Sequence, residues 1–374
     1  MLVIVYGTKY ESFSLTYLYS YTQKEINVDK EFKSFLKVPG GGEIHRCYYP
    51  FKLDTYGRGC MNDCLYCYSR STLHFRNLWD AKTPAVADIK KIEKMLDDVL
   101  VKDKKIKYYE HFKNRVPLRL GGMTDVFQDT EKTERVTYQL LKLLKEYQYP
   151  YLILTKNKLV AEYMDVLDPN LAYVQFTITT PYDDISKLYE PEASTTTERL
   201  QAAKDLTGFY TAARVNPLFP KYPDGHYTRK DSFIDGGEDE MFRYFDWHLV
   251  DMFKEANINT VIAGFVRLSH WNIKWIEEDT GKNLKWLFDS DMKAKNTALH
   301  FSTEEKRYYY ERMKKRCDEV GMDFTVCYDG DEDYETFRYL WANPDDCCNG
   351  KFNIKEFKNA FDFENEHFLN KKDI

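Results

Sequence analysis

The sequence has no apolar run approaching the roughly 20 residues that span a bilayer, so no transmembrane helix is expected. It has no basic leader: Met1 to Gly7 is apolar but short, and it does not read as a signal peptide. Positive charge is not in excess, the formal net charge being −6 over 374 residues. Coating of a polyanion by bulk charge is therefore excluded, although a local basic patch is not. Repeats at solenoid period and long low-complexity segments are also lacking. These absences read as a cytoplasmic chain that forms one large domain or two smaller ones.

The chain is rich in aromatic rings and has a moderate number of thiols. Its 30 tyrosines and 24 phenylalanines can fill a large core or line a pocket, and their number alone assigns no function. In a cytoplasmic chain, eight cysteines are expected as reduced thiols or metal ligands and not as disulfides.

Apolar runs predict strands over Phe51–Tyr56, Leu118–Gly121, Tyr151–Thr155, Tyr173–Thr179, Tyr210–Val215 and Thr260–Val266. Helical stretches lie between them. Thr130–Tyr147 carries Val136, Leu140, Leu143 and Leu144 on one stripe, and Thr197–Leu206 is shorter. This alternation predicts parallel β/α units, in a barrel or a doubly wound sheet, and six strands suit an incomplete barrel. Residues 1–50 read as an N-terminal extension ending near the glycine run at 40–42, and 51–267 as the core. Residues 268–374 read as a C-terminal extension packed on the barrel, with charged helices at 303–320 and 354–367 and a strand over Asp323–Cys327.

The segment from Tyr56 to Tyr68 is the most informative. Cys60, Cys64 and Cys67 are spaced to wrap one metal centre, with Gly57 and Gly59 expected to let the backbone turn. Thiolates suit iron–sulfur clusters and zinc. Three local ligands leave a [4Fe-4S] cluster with one open iron that a substrate can chelate. The alternative is a structural zinc completed by Cys47 or His74, although no second cysteine pair follows.

With Tyr66 and Tyr68 around the last cysteine, this spacing resembles the radical S-adenosylmethionine (SAM) superfamily, and within it the spore photoproduct lyase-like subfamily. Further matching blocks follow in order: Gly121 to Asp125, Leu154-Thr155-Lys156, Phe176 to Thr180 with Leu188 to Pro191 and Glu198 to Leu200, and Arg214 to Pro220. The resemblance covers roughly residues 50 to 267. It implies a partial (β/α)6 TIM-type barrel of the radical SAM type. Cys60, Cys64 and Cys67 would hold a [4Fe-4S] cluster whose open iron binds SAM. Reductive cleavage of SAM would then give a 5′-deoxyadenosyl radical that abstracts hydrogen from a substrate.

By the same resemblance, Thr124 and Lys156 would bind the methionine end of SAM, and Thr177 its ribose or carboxylate. Tyr66 would meet the adenine, and Tyr68 would face the reaction chamber. Arg199 is either a cofactor or substrate contact or a helix-surface charge. Spore photoproduct lyases carry a hydrogen-donating cysteine at the position that is Gly122 here. Related but different chemistry follows, with Cys327 or Tyr68 as substitute catalytic donors. Cys327, Cys347 and Cys348 could also hold a second Fe–S cluster; the alternative is idle buried thiols.

The substrate expected from the resemblance is a nucleobase in DNA or RNA, with Lys102 to Arg115 as a basic, aromatic-interleaved stretch that contacts it. Two other readings stand beside it: a radical SAM enzyme for a small molecule, amino acid or peptide, and a zinc-stabilised binding module. A one-electron donor such as flavodoxin or ferredoxin is the expected partner of the first two.

Overall fold

The computed structural model describes residues 32, 35–37, 49–219, 244–282, 298–299, 301–327 and 334–353. The chain divides into units of residues 1–31 and 32–374, and all described residues belong to the second. The glycine run at 40–42, Cys47, Trp286 and the helix expected over 354–367 lie outside the described residues.

Among the described residues the main sheet has eight strands, and its neighbour order follows chain order. These are β1 (Leu36–Lys37), β2 (Lys52–Leu53), β3 (Leu118–Leu120), β4 (Tyr151–Thr155), β5 (Ala172–Thr177), β6 (Tyr210–Leu218), β7 (Thr260–Phe265) and β8 (Asp323–Val326). β1 runs antiparallel to β2 at one edge, and every other pairing is parallel. Parallel neighbours need crossover connections. β5 and β7 are buried at every position, so both faces of these strands are covered.

One expectation changes in number: the parallel strands are seven, because Asp323–Val326 pairs with β7 and extends the core sheet instead of standing apart from it. The sheet is mixed α/β and mostly parallel, and no pairing joins β1 to β8 among the described residues. The first expected strand is also short. After β2 the chain leaves the sheet, and Tyr56–Gly57 pairs antiparallel with Ala85–Val86.

Local chemistry explains the helix boundaries. The helix expected over 130–147 breaks at Arg135, which adopts a left-handed φ of 51°. The buried Glu131 carboxylate accepts the N–H groups of Thr137 (2.8 Å) and Tyr138 (2.9 Å), so it caps the second part, Val136–Glu146. Its core stripe is Val136, Leu140, Leu141 and Leu144, with Leu143 only half-buried. Thr196–Asp205 begins with a capping box from Thr195 and Glu198, and Thr303–Val320 with one from Ser302 and Glu305. No described helix is long and apolar enough to cross a membrane.

Candidate metal and cofactor site

The cysteine loop follows β2, and the segments carrying Thr124 and Lys156 follow β3 and β4, while Thr177 ends β5. All four reach the carboxyl ends of parallel strands, where such sheets place ligands. Within the loop, Asp63 N–H donates to the Cys60 carbonyl and Cys67 N–H to the Cys64 carbonyl, both at 3.2 Å. The left-handed turns fall on Arg58 (φ 61°) and Asp63 (φ 44°) and not on the glycines. Gly57 and Gly59 are needed for close approach: a Cβ on Gly59 would stand 1.6 Å from the Asp80 carbonyl oxygen, and one on Gly57 2.3 Å from the Phe32 ring.

Cys60 and Cys64 are buried and Cys67 is half-buried. The Cys60 sulfur accepts the Asp125 N–H at 3.4 Å. The Cys67 sulfur caps helix Tyr68–Phe75 by accepting the Arg70 N–H at 3.4 Å. Burial, then the nearby Asp125 charge, pushes the Cys60 thiol up to about 12. Burial likewise raises Cys64 well above the ordinary thiol range, against the opposing Lys156 ammonium. Thiols so reluctant to ionise need a bound cation to become ligands. Three thiols with backbone donors aimed at two of their sulfurs fit an iron–sulfur cluster. His74 does not complete a zinc site here; its ring packs on Trp271 (4.8 Å) and Trp275 (5.4 Å) at an exposed face of the helix.

Asp125 ties the loop to the strand ends. Its carboxylate accepts from Asn62 Nδ2 (3.0 Å), Thr155 Oγ1 (2.8 Å), Lys156 N (2.6 Å) and Phe127 N (2.9 Å). Asn157 Nδ2 donates to Asn62 Oδ1 at 3.0 Å, and Gln128 Oε1 accepts the Met61 N–H at 2.7 Å. Thr124 donates its hydroxyl to the Tyr56 carbonyl at 2.6 Å, so it also fixes the entry to the loop. From the far side of the chain, Asn272 Nδ2 donates to the carbonyls of Leu65 (2.9 Å) and Cys67 (3.2 Å). Sequence reasoning missed Asn62, Gln128, Asn157 and Asn272. Only the capping signal of Ser269 and Asn272 was open to it.

A second chain of contacts starts at Tyr66, whose hydroxyl donates to Glu190. Glu190 is ion-paired with Arg199, both side chains being 1% exposed, and Arg199 Nη1 donates to the Thr177 carbonyl at 2.7 Å. Arg199 is thus no surface charge; it locks the end of β5 to the cysteine loop. Burial raises the Glu190 carboxyl, and the Arg199 charge opposes that shift. Lys156 Nζ lies 5.6 Å from the Tyr66 ring centroid. The Tyr68 hydroxyl donates to the Gly122 carbonyl, beside the position that lacks a side chain.

Cys347 and Cys348 lie elsewhere. Tyr173 OH at the start of β5 donates to the Cys348 carbonyl at 2.6 Å, and the adjacent Asn349 donates to Thr260 Oγ1 (2.9 Å) and Asp323 Oδ2 (3.0 Å), the first residues of β7 and β8. They therefore sit towards the opposite end of the strands from the cysteine loop. The Cys327 sulfur accepts from Arg214 Nη2 at 2.8 Å.

Much of the basic stretch is paired with neighbouring carboxylates and carbonyls. Lys102 bridges Asp97, Lys104 reaches Asp98 at 2.9 Å, and Lys113 bridges Asp103 at 2.5 Å. Arg115 donates to the carbonyls of Tyr147 and Gln148, Phe112 is 1% exposed, and Lys107 lies over the Tyr108 ring at 4.7 Å.

No protein-family model and no curated protein sequence matches the chain. Solved structures do. Spore photoproduct lyase complexed with dinucleoside spore photoproduct superposes with a TM-score of 0.54 at 15% identity, over 79% of this chain and 80% of that one. A variant of that enzyme with bound AdoMet and dinucleoside spore photoproduct gives 0.52 at 15% identity, over 78% and 86%. A further variant without either ligand in its description gives 0.53 at 14% identity, over 78% and 86%. At such identity the likeness concerns architecture alone: this chain has the fold of spore photoproduct lyase.

Proposed function

We propose that the chain is a radical SAM enzyme, with residues 51–267 supplying the strands of a partial (β/α)6 barrel, Asp323–Val326 adding one more beside β7, and the rest of 268–374 as an extension over the substrate site. The observation that carries this reading is the Asp125 network, which holds a three-cysteine loop against the carboxyl ends of β3 and β4. Cys60, Cys64 and Cys67 would hold a [4Fe-4S] cluster. When bound, cluster and SAM supply a 5′-deoxyadenosyl radical that takes hydrogen from the substrate. Lys156 offers a positive charge to the SAM carboxylate, and Thr124 and Thr177 line the same strand ends. Tyr66 is held by Glu190 and offers a ring face to the adenine. Tyr68 faces the chamber at Gly122, where a thiol donor is missing. Arg199 positions Glu190 and the end of β5 and touches the cofactor only through them.

The substrate reading we put first is a nucleobase in DNA or RNA, because the fold is that of an enzyme solved with a dinucleoside photoproduct. The ion-paired lysines of 102–113 favour a second reading, a small molecule or peptide, since paired cations release few counterions on binding a polyanion. A reduced flavodoxin or ferredoxin would supply the electron in either case, in the cytoplasm.

Anaerobic reconstitution tests the proposal. A brown protein with about four irons per chain that yields 5′-deoxyadenosine from SAM and reductant is expected. A colourless, zinc-loaded protein that leaves SAM intact would overturn it. Deuterated nucleic-acid and small-molecule pools then separate the two substrates by deuterium in the 5′-deoxyadenosine.

A further inference from the structure

We propose that Asp346, Cys347 and Cys348 form a second metal centre that takes a single thiophilic divalent cation, zinc first. This centre is independent of the radical SAM reading. A carboxylate oxygen of Asp346 and the sulfurs of Cys347 and Cys348 all lie within 4.8 Å of one another, and all three residues are buried. Tetrahedral zinc with Zn–S bonds of about 2.3 Å sets its ligand atoms about 3.8 Å apart, so this set needs only a small closure. An iron–sulfur cubane places each thiolate on a different iron and spreads the sulfurs more widely. Adjacent residues converging on one point therefore suit one ion better than the second cluster expected from the sequence.

The surroundings fit a metal as well. Asp346 is oriented by three hydrogen bonds: Oδ2 accepts from Tyr49 OH (2.6 Å) and Gly350 N (2.9 Å), and Oδ1 accepts from Cys348 N (2.8 Å). Outer partners of this kind hold a carboxylate ligand in place. Two thiolates and a carboxylate outweigh the charge of a divalent ion. The guanidinium groups of Arg214 and Arg119, whose charges act at Cys348, offset that excess in a buried site.

Residues 346–349 reach the starts of four strands through Tyr173, Tyr210, Thr260 and Asp323. An ion held by Asp346, Cys347 and Cys348 would brace this segment where it meets the strand starts, a structural role.

The test compares wild type with C347S/C348S, both equilibrated with zinc, dialysed and analysed for zinc and iron. The cysteine loop is present in both proteins, so its own metal cancels. Wild type is expected to hold about one zinc per chain more than the variant. Cobalt(II) in place of zinc should give thiolate-to-metal absorption that the variant lacks. Equal zinc in the two proteins overturns the proposal, and so does a difference in iron instead of zinc. Should C347S/C348S fail to fold, D346N and C348S serve: each is expected to weaken zinc binding by about tenfold or more. Unchanged affinity in both overturns it.

Discussion

Replacing Arg199 with methionine tests whether the Tyr66–Glu190–Arg199 chain holds the site together. The substitution keeps bulk and removes the charge. Both members of the ion pair are 1% exposed, so the Glu190 carboxylate would be left buried and unpaired. Losing one partner of a buried pair costs about 3–5 kcal/mol. The penalty should depend on pH with a definite sign. Burial raises the folded-state value of Glu190, and Arg199 opposes that rise, so without Arg199 it climbs further. A carboxyl whose folded value lies above its unfolded one is most favourable at acid pH. Its contribution is lost as pH rises from the ordinary carboxylate range through the folded value. Each unit of additional rise adds about 1.4 kcal/mol to the penalty above that window. Urea unfolding of wild type and Arg199→Met at pH 5 and pH 8 measures this. The variant should lose more stability at pH 8 than at pH 5, and Glu190→Gln added to it should restore part of the loss at pH 8. A cost under about 1 kcal/mol, or one equal at both pH values, would refute the buried-pair reasoning.

Four further outcomes are expected. Asp125→Ala removes the acceptor of four hydrogen bonds and should cost about 3 kcal/mol or more, read by urea melts, with iron retention falling in the same variant. Asn272→Ala frees the carbonyls of Leu65 and Cys67 and should cost about 1–2 kcal/mol while speeding loss of iron to a chelator. Tyr68→Phe, which removes only the hydroxyl at Gly122, should leave 5′-deoxyadenosine formation within about twofold of wild type while changing deuterium incorporation into product from heavy water. Charge reversal at Lys104 should lower stability only slightly through Asp98 and leave nucleic-acid affinity unchanged; a salt-dependent loss of binding would instead restore this stretch as a phosphate contact.

The strands at 151–155, 172–177, 210–218 and 260–265 were legible because parallel strands buried on both faces are written as apolar runs. The cysteine loop was legible because the local spacing of its three cysteines survives folding unchanged. What folding alone decided lies between segments. That Asp323–Val326 joins β7 depends on which edge of the sheet is open, and a four-residue strand carries no address for its neighbour. Arg199 reads from the sequence as a cofactor or substrate contact or a surface charge, and only the fold buries it with Glu190 beside Tyr66. Asp125 ends a matched block, but nothing in that block names its partners. Its partners Asn62 and Thr155 lie 63 and 30 residues away, and polar networks leave no period in a sequence. The sequence by itself thus determined the spacing of Cys60, Cys64 and Cys67 in one loop, on which the proposed cluster rests. The tertiary structure decided what holds that loop to the strand ends, because buried hydrogen bonds and ion pairs form only where the fold excludes water.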